Sequence, residues 1–365
     1  MASSRQTAYQ ILDMVQGTSS IGGGLTMGRR ESILKYITKQ QRGIEIGPWF
    51  SPLAPKRAGY RCLALDVVDT ETARQRALAD VGIPAGAEDG IEEVDLLGSS
   101  THIRELVEER GELGVFDYIV SSHNFEHLPN PIRFLQGCGK VLKPGGIVSM
   151  AIPDHRACFD YFRPVTKLAE WIQASLDDRS QPTLAQVFDC ETSFAIYDDG
   201  GTRVSSFYCG VPPAKVSAMF NLDSVFNRWM AHLRTNDTAY HDAHCSVFTP
   251  ASFELLIRDS AYLGLVPFEI LEISETVGNE FHVHIRSVPE PGALRPDNYE
   301  QIRNSILRHV VEETAESPKL NDPIIEQRIK QLEATICAMR ESSSWKITEP
   351  LRCAVTAWRR LVSRH

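Results

Sequence analysis

The run "GIEIGPWFSP", from Gly43 to Pro52, decides how the first half of this sequence is interpreted. It begins with β-prone, mostly apolar residues and ends in a Gly-Pro turn crowded with aromatic residues, the pattern of a first strand and first turn in a nucleotide-binding α/β sheet. The turn lacks the repeated glycines that bring backbone N–H groups close to a pyrophosphate, because proline and aromatic residues follow Gly47. The turn therefore favours a ligand that contains adenosine but no phosphate.

Strand and helix patterns alternate from Gly43 to about Pro153. The β-rich runs are "GIEIG", "RCLALDV", "GIEEVDL", "FDYIVSS" and "GGIVSMAIP". Such alternation predicts parallel βαβ units. Two later runs, "VPFEILEIS" and "EFHVHIRSV", are joined only by "ETVGN", and a connection this short makes a hairpin. We therefore expect an α/β fold with a mainly parallel sheet and one antiparallel strand near its end.

The chain divides into four regions. Residues 1–42 hold two short helical patterns that are expected to cover the start of the sheet. Residues 43–288 form the α/β domain, which an aromatic-rich insertion interrupts at 154–240. A linker and a helix follow over 289–321, and 322–365 form a helical tail.

The composition excludes several classes of protein. With 42% hydrophobic residues, 23% charged residues and a net charge of -9, the chain is globular and is not expected to bind nucleic acid. Its eight cysteines include no CxxC pair, which argues against a zinc knuckle or a disulfide framework and indicates reduced thiols. The sequence shows no signal-peptide pattern and no apolar run of membrane-spanning length, so we expect a cytoplasmic protein.

The tail carries two patterns. A 4-3-4-3 spacing indicates either a short coiled coil, which leaves a homo-oligomer open, or a single helix packed on the body. The residues in this spacing are Ile325, Ile329, Leu332, Ile336 and Met339. From Trp345 onward, one Lys and four Arg stand against one Glu beside spaced apolar residues. This basic amphipathic end indicates peripheral contact with the inner membrane, docking on a partner, or an ordinary solvated helix.

Polar residues follow several of the predicted parallel strands, whose carboxyl ends meet at one edge of the sheet. Asp66 ends the second strand, from which a carboxylate can accept hydrogen bonds from both ribose hydroxyls. Asp95 ends the third strand in "EEVDLLG", close enough to meet an adenine amino group. A helix N-cap or a turn residue is the structural alternative for Asp66, and a solvated loop is the alternative for Asp95. Ser122 and His123 lie where the fourth strand ends, in the middle of the ligand crevice.

These residues occur in a series that resembles the class I S-adenosylmethionine-dependent methyltransferases. The series is "EIGP", "LALDV", "VDLL", "FDYIVSSHNFEHLPNP" and "VLKPGGIVSMAIPD", within Gly43 to Val288. The stretches "IPDHRACFDYFRPVT" and "HCSVFTPASFELL" are similar to a subset found with bacterial surface-polysaccharide synthesis. The resemblance implies S-adenosyl-L-methionine as cofactor and a Rossmann-like sheet of seven strands, with the seventh inserted antiparallel. The hairpin inferred above matches that arrangement.

The resemblance also implies which residues bind the cofactor. They are Glu45, Gly47 and Pro48 at the methionine end, Asp66 at the ribose, Asp95 and Leu96 at the adenine, and Ser122 and His123 beside the methyl group. The sequence departs from the family in the first turn, where "PWFSP" replaces further glycines. How the methionine carboxylate is held is therefore left open.

Three histidines are candidates for a general base, which methyl transfer needs when the acceptor is a hydroxyl. His123 follows the fourth strand, His155 follows the fifth in "IPDHR", and His244 lies in "HDAHCSVFTP". Histidine suits this role because its pKa lies near neutrality. A hydrogen-bonded structural histidine is the alternative for each.

A metal site is not expected. His241, Asp242 and His244 have the spacing of metal ligands, but such a loop without a fixed third carboxylate is a weak signal. Glu126 and His127, in "FEHLPNP", are expected to orient a turn and to cap the next helix.

The aromatic residues of the insertion are expected mainly to pack a small core of their own, with a few forming a lid with the loop "YDDGGTR". We therefore predict an O-methyltransferase that acts on a sugar hydroxyl during polysaccharide or lipopolysaccharide synthesis. The alternatives are a small-molecule or lipid methyltransferase of the same fold and a non-catalytic scaffold.

Overall fold

A seven-stranded sheet forms the centre of the computed structural model, which describes residues 28–80, 83–235, 239–289 and 295–315. Its strands are β1 (Arg42–Ile46), β2 (Arg61–Asp66), β3 (Val94–Leu97), β4 (Phe116–Ser122), β5 (Leu142–Pro153), β9 (Phe268–Ile273) and β10 (Glu280–Ser287). A smaller sheet holds β6 (Ala195–Asp198), β7 (Arg203–Val204) and β8 (Val216–Ala218). The predicted coiled coil and basic end of the tail lie outside the described residues.

The order of the large sheet is β3-β2-β1-β4-β5-β10-β9. The first five strands pair in parallel, and β10 pairs antiparallel with both β5 and β9. The prediction of a Rossmann-like α/β fold with one antiparallel strand is therefore confirmed. Because β10 runs against the others, its first residue, Glu280, reaches the edge where the parallel strands end.

Nine helices lie within the described residues. They are α1 (Arg29–Ile33), α2 (Thr70–Ala79), α3 (Ile103–Glu108), α4 (Pro131–Val141), α5 (Leu168–Leu176), α6 (Leu184–Thr192), α7 (Leu222–Thr235), α8 (Pro250–Tyr262) and α9 (Tyr299–Thr314). Among these described helices, none has the length and apolar character that a membrane span requires.

The central strands are apolar on both faces, as expected of a parallel sheet covered on each side. Ile119 and Val120 of β4, with Val148 and Met150 of β5, are fully buried. Gly43 is required where β1 meets β4, because a Cβ there would lie 2.1 Å from atoms of the Tyr118 ring. This close approach explains why the run from Gly43 to Pro52 begins with glycine.

Helix α1 contacts the sheet and helix α9 contacts α8, each through a hydrogen bond. Ile33 at the end of α1 is fully buried, and its carbonyl accepts a hydrogen bond from the Ser149 hydroxyl of β5. The Tyr299 hydroxyl of α9 donates to Asp259 of α8 at 2.7 Å. Both helices therefore belong to the body of the fold.

The segment between β5 and α8 holds α5, α6, α7 and the small sheet. Its aromatic residues form local cores, as in the pair Phe159 and Phe194, whose rings stack at 4.5 Å. The predicted lid loop is the turn between β6 and β7, where the Asp199 side chain accepts the amides of Gly201 and Thr202.

Candidate functional site

The candidate site lies where the order of the sheet reverses, between β1 and β4. In open α/β sheets this switch point forms the crevice in which ligands bind. Three non-glycine residues of the described chain have a positive φ, and two of them, Trp49 (46°) and His123 (50°), follow β1 and β4. Such strained backbone clusters at functional sites, so the conformation agrees with the topology.

The loop after β1 is held by Glu45, which is 4% exposed. Its two carboxylate oxygens accept the amides of Leu53 (2.5 Å) and Ala54 (2.8 Å). Burial raises the pKa of the Glu45 carboxyl to about 7, although the two amides act in the opposite direction. Gly47 follows with a φ of 60°, and nothing lies within 4 Å of the position of a Cβ on it. Glu45 thus shapes the loop, and open space is left at Gly47.

We expect Glu45→Gln to lower the free energy of unfolding by about 1 to 3 kcal/mol, because the amide nitrogen of glutamine would face a backbone N–H that it cannot bind. The loosened loop should also weaken binding of the expected cofactor. Between pH 4.5 and about 7 the folded state keeps a proton that the unfolded state releases, so Glu45 makes this free energy fall as the pH rises. Urea unfolding across this window should show a flatter profile for the variant.

Glu92→Gln is the matched control. Glu92 also accepts two backbone amides, from Lys56 (2.9 Å) and Arg57 (3.2 Å), but it precedes β3 at the opposite end of that strand from the crevice. It should lose stability and keep its affinity for the cofactor. Equal losses of affinity in the two variants would contradict the role given to Glu45.

The ends of β2 and β3 form a surface suited to adenosine. Asp66 is the last residue of β2, pairs in register with Leu97, and accepts the Val68 amide at 3.2 Å on one oxygen. A carboxylate has about four lone-pair sites, so it can still accept both ribose hydroxyls. Val67 and Leu97 are 65% and 55% exposed at this edge, where an adenine ring could cover them. The sequence analysis missed both of these apolar residues.

Asp95 and Leu96 are placed differently from the prediction. Asp95 is the second residue of β3 and does not end the strand, and its carboxylate accepts hydrogen bonds from Lys56 Nζ (2.5 Å) and the Ala64 amide (2.8 Å). Leu96 is 3% exposed and belongs to the main core. The strand continues two residues beyond Asp95, so Leu97 occupies the position at the edge that was given to Asp95 and Leu96.

Three of the buried polar atoms that have no hydrogen-bond partner among the described residues lie just after β1, β3 and β4. They are Trp49 Nε1 after β1, Thr101 Oγ1 after β3 and Asn124 Nδ2 after β4. A ligand with polar groups along its length can satisfy such atoms, which otherwise cost about 1 to 3 kcal/mol each. The residues present therefore fit a cofactor that extends across these three strand ends. Pro48, a residue of the loop after β1, is buried.

Ser122 and His123 belong to a charged network. Arg29 of α1 donates to the Ser122 hydroxyl (2.6 Å) and to both carboxylate oxygens of Glu280 (2.6 and 2.8 Å). His123 Nε2 lies 2.8 Å from Glu280, and His123 Nδ1 lies 3.5 Å from Glu126. The contact with Glu280 fixes the orientation of the His123 ring, which remains a predicted base.

His155 follows β5 in a 3-10 turn, and its backbone amide donates to the Phe248 carbonyl at 2.9 Å. Neither of its ring nitrogens has a hydrogen-bond partner among the described side chains and backbone. Burial lowers the pKa of His155, which keeps the ring neutral and able to accept a proton. His155 remains a predicted base.

His244 is 4% exposed and is oriented by a buried acid. Its Nδ1 bonds Asp160 Oδ2, and Asp160 Oδ1 accepts Arg163 Nη1 at 2.7 Å. Burial raises the pKa of Asp160, but His244 and Arg163 outweigh burial and hold it below its usual range. The opposite ring nitrogen, His244 Nε2, lies 3.9 Å from Glu126. The ring thus has one fixed end and one end directed toward the end of β4.

Glu126 and His127 do not cap the next helix, which corrects the sequence expectation. Asn130 caps α4 by accepting the Arg133 amide at 3.0 Å. Glu126 instead accepts the amides of Cys245 and Ser246 on its carbonyl, which ties the loop of His244 to the turn after β4. The sequence signal that could have revealed this grouping is the run "HNFEH", which places two histidines and a glutamate within five residues after a strand end.

The three metal-ligand candidates from the sequence, His241, Asp242 and His244, do not form a cluster among the described residues. The His241 ring contacts the His232 ring, with centroids 4.3 Å apart. Asp242 Oδ1 lies 3.0 Å from His127 Nδ1 and also accepts the Tyr240 hydroxyl. A different group, Glu126, His127 and His244, has its ligand atoms within 4.8 Å of one another, the single such group among the described residues.

A cavity of about 610 Å³ lies away from this site. Its lining includes Lys140 of α4, Leu142 at the start of β5, Pro267 before β9 and Ser287 at the end of β10. These residues belong to the edge of the sheet opposite to the strand ends described above. None of the predicted site residues lines it.

Comparisons with known proteins place the chain in a family. A family model described as a methyltransferase domain matches residues 42–260, more than half of the chain. Among solved structures, a protein of Pyrococcus horikoshii is 13% identical, with a TM-score of 0.36 over 71% of this chain and 89% of that one. An S-adenosylmethionine-dependent methyltransferase of Aquifex aeolicus is 14% identical, with a TM-score of 0.33 over 71% and 90%. One of Mesorhizobium loti is 14% identical, with a TM-score of 0.35 over 71% and 98%. A search of curated protein sequences found no match.

Proposed function

Because the chain belongs to the methyltransferase-domain family, we propose that it is an S-adenosylmethionine-dependent O-methyltransferase whose acceptor is a sugar hydroxyl in bacterial polysaccharide or lipopolysaccharide synthesis. The observation that carries the proposal is the set of imidazoles held by carboxylates where β4 ends. His244 bonds Asp160, and His127 bonds Asp242. Such pairs orient a ring so that its other nitrogen can act on a substrate.

S-adenosylmethionine supplies a methyl group on a sulfonium, which an acceptor oxygen displaces in line. The task of the protein is then to position the two reactants. In this proposal Asp66 binds the ribose hydroxyls, and Val67 and Leu97 contact the adenine. The loop that follows Gly47 and the amide of Asn124 face the methionine end.

A hydroxyl acceptor must lose its proton as it attacks, so a nearby group has to take that proton. The neutral ring of His155 and the ring of His244 are the candidates. His244 has Asp160 behind it to stabilise the positive charge that it would gain. The same groups would contribute little to an acceptor that carries no removable proton.

The sugar is supported by the aromatic insertion and by the resemblance of its sequence to enzymes of surface-polysaccharide synthesis. The insertion contacts the site, because the Phe159 ring lies 4.5 Å from the His244 ring. The Tyr240 hydroxyl donates a hydrogen bond to Asp242, and Tyr240 is 53% exposed. Exposed aromatic rings next to a site are suited to stack on sugar rings.

An acceptor panel tests the proposal. The full chain is incubated with S-adenosylmethionine labelled in the methyl group and with nucleotide sugars, oligosaccharides, phospholipids, catechols and amines. We expect methyl transfer only to the sugars, with the label in an alkali-stable ether. Transfer to a lipid or a small amine instead would replace the sugar acceptor, and no transfer with any acceptor, despite binding of the cofactor, would contradict the proposal.

A further inference from the structure

Three side chains form a histidine–carboxylate cluster, which consists of Glu126, His127 and His244. His127 Nε2 and His244 Nε2 each lie 3.9 Å from Glu126 Oε1. All three ligand atoms lie within 4.8 Å of one another. The residues come from the turn after β4 and from the loop before α8, so only the folded chain assembles them.

The Glu126 carboxylate needs a positive partner. It is 1% exposed, and neither of its oxygens accepts a hydrogen bond from the described residues. A buried carboxylate without hydrogen bonds is costly unless it is paired with a cation or binds a metal. The nearest basic atom, His123 Nδ1 at 3.5 Å, belongs to a ring that already bonds Glu280.

The two cluster histidines are oriented as metal ligands are. His127 Nδ1 bonds Asp242 at 3.0 Å, and His244 Nδ1 bonds Asp160. A carboxylate on Nδ1 places the proton there and leaves a lone pair on Nε2, the usual arrangement behind a metal-bound histidine. The Nε2 atoms of both rings lie 3.9 Å from the same oxygen of Glu126, so three potential donor atoms converge on one point.

Protonation of both rings is the alternative to a metal. The rings of His127 and His244 are only 4.6 Å apart between centroids, so two imidazolium ions would repel across that distance. A single divalent ion neutralises the carboxylate and binds both lone pairs. Binding of one such ion therefore leaves less electrostatic repulsion between the two rings than protonation of both would.

The donor set selects the type of metal. Two imidazole nitrogens and one carboxylate oxygen are the protein ligands of several catalytic zinc sites, which keep a fourth position open. Mg²⁺ and Ca²⁺ prefer oxygen ligands alone. Ligand atoms around a tetrahedral ion with bonds of about 2.1 Å lie roughly 3.4 Å apart. The two 3.9 Å spacings to Glu126 must therefore shorten by about half an ångström, and the spacing between the two histidines, which is within 4.8 Å, must shorten as the ion binds.

We propose that Glu126, His127 and His244 bind one divalent first-row transition-metal ion at the end of β4, with an open position directed toward the acceptor. The binding stands by itself, whereas the role of the ion in catalysis rests on the proposed function. In that role the ion lowers the pKa of the acceptor hydroxyl beside it. The hydroxyl proton passes to a neutral imidazole, for which His155 is the candidate. The oxygen forms the bond to the methyl carbon, and the electron pair of the breaking carbon–sulfur bond stays on sulfur.

Metal binding by the full chain tests this proposal without an assay of activity. The protein is stripped with a chelator, dialysed, and titrated calorimetrically with Zn²⁺, and with Co²⁺ while its visible absorption is followed. We expect one equivalent of each metal and the intense visible bands of four-coordinate Co²⁺. Asp242→Asn should weaken binding by about 10- to 100-fold, and Glu126→Gln by more because it removes a ligand.

His284→Ala is the matched control, because His284 is a buried histidine (2% exposed) that bonds Ser149 in the sheet. It should bind Zn²⁺ as the natural protein does. Circular dichroism and S-adenosylmethionine affinity show whether Glu126→Gln is folded, and if it is not, the Asp242→Asn titration and the Co²⁺ spectrum of the natural protein decide. No uptake of Zn²⁺, Co²⁺ or Mn²⁺ by the natural protein, or uptake that Asp242→Asn and Glu126→Gln leave unchanged, overturns the proposal.

The two proposals can fail separately. Metal binding that depends on Glu126, together with no methyl transfer to sugars, leaves the metal site standing and removes the proposed acceptor. Methyl transfer to sugars at an unchanged rate after chelation, with no metal bound, leaves the acceptor standing and removes the metal site.

Discussion

Replacing His244 by Ala is expected to lower the turnover number by roughly 10² to 10⁴ while S-adenosylmethionine still binds. A positioned proton acceptor contributes about that much, and the loss of a metal ligand at the same place would act in the same direction. The fold should survive, because Asp160 keeps its bond to Arg163 at 2.7 Å and is not left as an unpaired buried charge. Steady-state kinetics and calorimetric titration with the cofactor measure the two effects.

His284→Ala provides the comparison for His244. It also removes a buried ring, which bonds the Ser149 hydroxyl and lies against Tyr36, but it lies within β10 away from the cluster. It should lower the melting temperature and leave turnover nearly unchanged. A His244 variant that keeps normal turnover and loses only thermal stability would show that this ring is structural, and His155→Ala would then be the decisive variant.

Replacing Asp66 by Ala is expected to weaken S-adenosylmethionine binding at least tenfold with the fold intact. The change removes a charged acceptor of two ribose hydrogen bonds, each contributing about 1.5 to 3 kcal/mol. The hydrogen bond that Asp66 accepts from the Val68 amide is long at 3.2 Å, so its removal should cost little stability. Calorimetry gives the affinity, and thermal unfolding gives the stability.

Asp95→Asn tests the sequence-based prediction that Asp95, as well as Asp66, contacts the cofactor. Because the Asp95 carboxylate is already bonded to Lys56 and to the Ala64 amide, its change should affect stability more than affinity. Unchanged binding by the Asp66 variant would remove the ribose assignment. A tenfold loss in the Asp95 variant would restore its predicted contact with adenine.

The cofactor side of the site could be predicted in part from the sequence. Asp66 ends its strand as predicted, because the apolar run that defines β2 stops there. The end of β3 was placed two residues too early, since "VDLL" continues as strand through Leu97. Side chains alternate between the two faces of a strand, so Leu97 lies on the same face as Asp95 and is exposed at the strand end, whereas Leu96 between them is buried.

The sequence by itself determined the order of strands and helices along the chain, the one antiparallel strand and the edge of the sheet at which the candidate site lies. These follow from local periodicity and from the short connection between β9 and β10, which neighbouring residues encode. Only the tertiary structure decided the partners of the polar groups. It brings Glu126, Asp160 and His244 together from three separate loops, and it places Glu280 of the antiparallel strand against His123. Contacts between residues this far apart depend on how the elements pack, and spacing along the chain carries no record of them.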